Sequence, residues 1–195
     1  MKWAVRLYAV LFIWAVFAGI AFHNAFVQKQ DFSVRLLHTN DHHAHLEAVE
    51  VGDRLLGGIS RRKTLVDTLR SKAEDPTLLL DAGDIFQGTL YFNQYVGKAD
   101  LPFYNQMNYA AVAVGNHEFD RGQQPLADFI KAADFPMLSA NLEIAPNSPL
   151  AGAIEPWIIL PVNGQKIGIF GLTTEETAIL SSPGEGVTFT PPSEL

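Results

Sequence analysis

The chain has 195 residues, of which 48% are apolar and none is cysteine, and 14 basic residues stand against 21 acidic ones for a net charge of −7. That apolar content excludes a disordered chain, and the absence of thiols excludes disulfide scaffolds, zinc ribbons, iron–sulfur sites and cysteine nucleophiles. An acidic surface repels nucleic-acid polymers and anionic membranes, so a small anionic substrate needs a local positive charge, such as a metal held by nitrogen and oxygen donors.

Lys2 and Arg6 precede an uncharged apolar stretch over residues 7–22, the order of basic and apolar regions in a secretory signal. Residues 1–25 are therefore expected to be a signal peptide or, if uncleaved, an N-terminal anchor, with Gly19-Ile20-Ala21 or Ala25 at the cleavage point. The location implied is outside the cytoplasm, in a periplasm or at the cell surface. Residues 34–37 are a short apolar run and predict a buried strand. A helix is predicted over residues 59–72, with Ile59, Leu65, Val66 and Leu69 toward the core and Arg61, Arg62, Lys63, Arg70 and Lys72 mostly in solvent. Strands over 77–80 and 110–114 follow, then a helix over 126–133 after Pro125 and a fourth strand over 135–140. This alternation is the order of an α/β fold, a parallel sheet layered by flanking helices. Residues 157–162 and 166–171 flank Asn163-Gly164, two residues that tolerate positive φ, and predict a hairpin. Residues 190–195 read as a loop entering a helix capped by Ser193.

Each of the first three strands ends in a polar cluster: His38-Thr39-Asn40-Asp41-His42-His43, then Asp81-Ala82-Gly83-Asp84, then Gly115-Asn116-His117-Glu118. The carboxyl ends of parallel strands lie along one edge of a sheet, so clusters distant in sequence are expected to meet in space. Asp41 and His43 alternate and can face one crevice, Asp84 can bridge two ions, and Asn116 offers a neutral amide oxygen. Such donors suit Zn²⁺, Mn²⁺, Fe²⁺ or Co²⁺. Gly83, Gly88 and Gly115 stand where the backbone must turn sharply beside those donors. His38 is expected to be a hydrogen-bonded structural residue directed away from Asp41. His42 and His45 are expected to face solvent or to support the ligands, and Glu118 to lie behind them.

The blocks Leu36-Leu37-His38-Thr39-Asn40-Asp41-His42-His43, Gly57-Gly58-Ile59-Ser60-Arg61-Arg62, Gly83-Asp84-Ile85-Phe86-Gln87-Gly88, Gly115-Asn116-His117-Glu118-Phe119-Asp120, Ser139-Ala140-Asn141-Leu142 and Gly171-Leu172-Thr173-Thr174 occur in that order. Together they resemble the bacterial 5′-nucleotidase branch of the calcineurin-like metallophosphoesterases, from about residue 34 to about residue 174. The resemblance implies that fold, incomplete here, with residues 32–195 as the N-terminal portion of the metallophosphoesterase domain. It also implies two divalent metal ions: Asp41 and His43 bind the first, Asp84 bridges both, and Asn116 binds the second. His117 would not be a ligand but would contact the phosphate, with Asp120 holding its imidazole oriented and protonated. Asp120 has a second reading as the cap of the following helix. Two such ions roughly 3.5–4 Å apart lower the pKa of a shared water and clamp a phosphate for in-line attack.

The activity implied is hydrolysis of extracellular nucleotides to nucleosides and phosphate. The alternatives are a 2′,3′-cyclic nucleotide phosphodiesterase, a UDP-sugar hydrolase or a thiosulfohydrolase-like member of the same superfamily, or an inactive exported fragment. No histidine follows His117. The resemblance implies that the remaining ligands and a nucleoside-binding domain lie beyond Leu195, in a longer enzyme.

Overall fold

In the computed structural model, which describes residues 31–195, the first apolar run becomes strand β1 (Arg35–Thr39). The expected export segment lies outside the described residues. A hairpin of β2 (Ala48–Val51) and β3 (Arg54–Gly57), which the apolar pattern did not announce, turns at Gly52-Asp53 and leads into helix α1 (Ile59–Ser71). Then come β4 (Thr77–Asp81), helices α2 (Leu90–Tyr95) and α3 (Leu101–Met107), β5 (Ala111–Ala113), helix α4 (Gln123–Ala132) and β6 (Met137–Leu138). Strands β1, β4, β5 and β6 pair in parallel in that spatial order, so every crossover runs the same way and all four carboxyl ends share one edge.

The rest of the chain contributes β7 (Leu142–Ile144), β8 (Trp157–Val162), β9 (Gln165–Phe170), a short helix α5 (Thr177–Leu180) and β10 (Val187–Phe189). Strands β8 and β9 form the expected antiparallel hairpin, and Asn163 and Gly164 take the positive φ of +47° and +77° that such a turn requires. Strand β7 pairs with β10.

Register sets the core. Leu37 lies beside Leu79, and two residues on Asp81 lies beside Val112, itself beside Met137. Leu79, Val112 and Met137 are buried in one cluster with Ile59 and Val66 of α1, Phe92 of α2, Tyr104 and Met107 of α3, and Leu126 and Phe129 of α4. Burying each large side chain is worth about 1.5–3 kcal/mol. The opposite face of the sheet carries His38, Leu80, Ala111 and Ala113, and Ile169 and Phe170 of the β8–β9 hairpin line a cavity with them.

Some expectations are corrected. Leu65 is 58% exposed, whereas Arg62 and Arg70 are partly buried. Counting at 3.6 residues per turn from Ile59 gives 62, 66 and 69–70, so Arg62 shares the inward stripe with Ile59 and Val66. Arg70 spends its charge on the carbonyls at the end of α3, donating to Met107 and Asn108 at 2.6 and 2.9 Å. Helix α4 begins at Gln123 and takes Pro125 into its first turn, where no backbone N–H is required. Strand β6 keeps only Met137 and Leu138, and Pro191 rather than Ser193 precedes the final 3₁₀ turn, Pro192–Glu194. His38 is exposed, and its side chain makes no hydrogen bond among the described residues.

Candidate metal centre

The loops leaving β1 and β4 run side by side beyond their strands. Asp41 donates its N–H to the Gly83 carbonyl at 3.0 Å, His43 to Asp84 at 2.9 Å and Ala44 to Ile85 at 2.9 Å. To do so the backbone adopts left-handed angles at Asp41 (+50°), His43 (+47°), Ala44 (+52°) and Asp84 (+59°). Each such non-glycine residue costs about 1–3 kcal/mol and persists only where the surroundings over-determine it. The third loop presses against the second. A Cβ on Gly83 would lie 2.5 Å from the Gly115 nitrogen, and one on Gly115 would lie 2.2 Å from Asp84 Oδ1. No other residue fits at either position.

This packing brings His43, Asp84 and His117 together, each offering a ligand atom within 4.8 Å of the others. The imidazoles of His43 and His117 meet edge to face with centroids 5.0 Å apart. His43 Nδ1 lies 3.1 Å from the Phe86 carbonyl, which can only accept, so Nδ1 is the donor in that bond and Nε2 is the nitrogen left for a ligand bond. Asp84 Oδ1 accepts the His117 backbone N–H at 3.0 Å and leaves Oδ2 free of that bond. Asp41 is more exposed, with Oδ1 3.5 Å from His43 Nε2. Asn116, partly buried, opens the 3₁₀ turn His117–Phe119 beside them. The donors are oxygen and imidazole without sulfur, and they fit a hard or borderline divalent ion.

His117 Nδ1 is 2.7 Å from Asp120 Oδ2, and Asp120 Oδ1 in turn accepts from Ser181 Oγ at 2.7 Å. Burial lowers the His117 pKa, but the Asp120 hydrogen bond and charge, with the charges of Asp84 and Glu118, outweigh it and leave the imidazole raised above its ordinary value. Asp120 is not the cap of α4, a position held by Gly122.

Sequence reasoning left Glu118 behind the ligands without a task. It is wholly buried and accepts four backbone N–H groups: Asp84 at 2.9 Å and Gly115 at 2.7 Å on Oε2, Ile85 at 2.7 Å and Phe86 at 3.2 Å on Oε1. One carboxylate thereby ties the loop after β4 to the loop after β5. Burial pushes its pKa up to about 7 against the pull of these donors. His42 is also buried, not solvent-facing, whereas His45 is exposed and turned back on the His42 carbonyl at 3.2 Å. Ser181 could not be anticipated, since it joins from 61 residues along the chain.

The pattern of the calcineurin-like phosphoesterases matches residues 34–185. The chain belongs to this family. Among its relatives, a snake venom 5′-nucleotidase of Naja atra is 44% identical over 81% of this chain and 31% of its own. The 5′-nucleotidase of Homo sapiens is 41% identical over 81% of this chain and 29% of its own. A solved 5′-nucleotidase precursor from Thermus thermophilus superposes with a TM-score of 0.78 at 49% identity, covering 82% of this chain and 32% of that one. The chain thus spans about a third of the length of each of these three relatives.

Proposed function

We propose that the protein is a metal-dependent phosphomonoesterase, a 5′-nucleotidase that hydrolyses a nucleotide to a nucleoside and inorganic phosphate. The observation that carries this reading is the convergence of His43, Asp84 and His117 at the carboxyl edge of the sheet, in a chain 41–49% identical to 5′-nucleotidases. Asp41 and His43 would hold one divalent ion, Asp84 would bridge to a second, and Asn116 would complete this chain's share of the second. When bound, the pair of ions supplies Lewis acidity, which activates water and neutralises phosphate charge.

The side chains divide the remaining work. His43 is fixed in the tautomer that leaves Nε2 as a donor, because its Nδ1–H is committed to the Phe86 carbonyl. His117 is not a ligand in this reading. Its Nδ1–H is committed to Asp120, and the upward pKa shift favours the protonated imidazole, whose Nε2–H would donate to a phosphate oxygen where negative charge develops. Asp120 orients that imidazole, and Ser181 orients Asp120. Export to a periplasm or the cell surface is supported by the basic and apolar order of residues 2–22. Among the described residues no helix is long and apolar enough to cross a membrane.

The test is hydrolysis of 5′-AMP, 2′,3′-cyclic AMP and UDP-glucose by the protein supplied with Mn²⁺ or Zn²⁺. Phosphate release from 5′-AMP should be fastest. Preferential cleavage of either other substrate would overturn the 5′-nucleotidase assignment.

A further inference from the structure

Beneath the Asp41–His43 loop lies a buried charge relay that no step of the chemistry above uses. His42, whose neighbours in sequence point toward the proposed metals, turns inward instead and is 1% exposed. Its Nε2 lies 3.1 Å from Asp100 Oδ1, with both side chains fully buried. Its Nδ1 lies 3.2 Å from Nη2 of Arg62, which can only donate. Nδ1 is therefore the acceptor from Arg62 and Nε2 the donor to Asp100, so both ring nitrogens are committed. Asp100 stands at the start of α3 and Arg62 on the inward stripe of α1, so three elements meet on one imidazole. Arg62 also lies against Tyr104, Tyr109 and Asp81. Asp81 accepts from Thr39 Oγ1, from Tyr104 Oη at 3.2 Å and from the Gly83 N–H at 2.9 Å.

This relay is an expensive way to fill a core. Arg62 Nη1 and Asp100 Oδ2 are buried and make no hydrogen bond among the described residues. Unpaired buried polar atoms cost free energy, and well-packed apolar replacements of buried ion pairs are often neutral or stabilising. Fold stability is thus a poor reason for the relay. The backbone above it supplies a better one: Asp41, His43 and Ala44, on both sides of His42, all hold left-handed angles that need enforcement.

We infer that His42, clamped between Arg62 and Asp100, is a positioning residue that holds the Asp41–His43 loop in its strained, metal-competent conformation. The inference rests on the metal-site reading above. It predicts that metal affinity and fold stability separate. The apolar triple variant His42→Leu, Arg62→Met, Asp100→Leu should unfold within a few degrees of the parent in metal-free buffer. Its affinity for Mn²⁺, measured by calorimetry, should weaken at least tenfold. His42→Gln, which can still accept from Arg62 and donate to Asp100, should stay within about threefold of the parent. Asp100→Asn, which keeps an acceptor but loses the charge, should weaken Mn²⁺ binding about three- to tenfold with unchanged circular dichroism. It decides the matter if the triple variant does not fold. Parental Mn²⁺ affinity in the folded triple variant, or in Asp100→Asn when only that variant folds, would overturn the inference alone. A parent that binds no Mn²⁺ would instead overturn the metal-site reading beneath it.

Discussion

Single side chains at this site have separable tasks. Asp84→Ala removes the carboxylate proposed to bridge the two metals, so metal content by mass spectrometry should fall at both positions. His117→Ala should leave metal content near the parental level and lower turnover by about 10²–10⁴, the scale of losing one acid or electrostatic group; a loss of metal would make His117 a ligand. Glu118 gives a pH signature. Its folded pKa, pushed up to about 7, lies above the ordinary carboxyl value of 4.5 that the unfolded chain would show. Its contribution to stability is therefore fully present below about pH 4.5 and is lost as pH rises through 7. The stability of the metal-free protein should carry a downward slope between pH 5 and 7 that Glu118→Gln lacks, measured by denaturant unfolding at each pH. The meeting of the strand-end clusters was legible in the sequence because sheet topology alone places them on one edge. The duty of Glu118 was not, because a carboxylate that accepts four main-chain N–H groups leaves no mark beyond being one acidic residue among many.

Among elements, the joints matter more than the strands. Asn141, just after β6, donates to the carbonyls of Thr173 at 2.7 Å and Thr190 at 3.0 Å, and accepts from the Thr173 N–H at 2.9 Å and Ser139 Oγ at 3.1 Å. It fastens the segments after β6, β9 and β10 to one another, and Thr173 Oγ1 ties them to the Val114 carbonyl, just ahead of Gly115 and Asn116. Asn141→Ala would leave a buried N–H and two carbonyls short of partners, each worth about 1–3 kcal/mol. We expect a loss of about 2–5 kcal/mol in urea unfolding, with the secondary structure retained. The parallel strands and the β8–β9 hairpin were legible from short apolar runs and one Asn-Gly pair. The hairpin β2–β3 and helices α2 and α3 were not. The hairpin is built on half-exposed Val49, Val51, Leu55 and Leu56 without clean alternation, and the two helices are only 6 and 7 residues long, too short to establish a period. The misread stripe of α1 has a different origin: a charged residue was assigned to solvent by type, when its position on the helix put it in the core.

For the molecule as a whole, net charge has the same sign as the proposed nucleotide substrate. A chain of net −7 should hold an anionic nucleotide only where metal ions locally reverse the field. Chelation should therefore abolish nucleotide binding as well as hydrolysis, which equilibrium dialysis with 5′-AMP before and after EDTA measures. Binding that survives chelation would place the nucleotide's main contacts away from the metals. The hydrogen bond from Ser181 to Asp120 has a further consequence, in time rather than in space. The residues that meet at this centre are scattered from Asp41 to Ser181, and the links from His43 to Phe86, from His117 to Asp84 and from Ser181 to Asp120 each close a loop of more than 30 residues. Such closures are entropically slow and come only once the parallel strands between them have paired. A metal ion therefore finds only the Asp41–His43 pair in the nascent chain, and its full capture rewards a fold already assembled, as a seal rather than a seed.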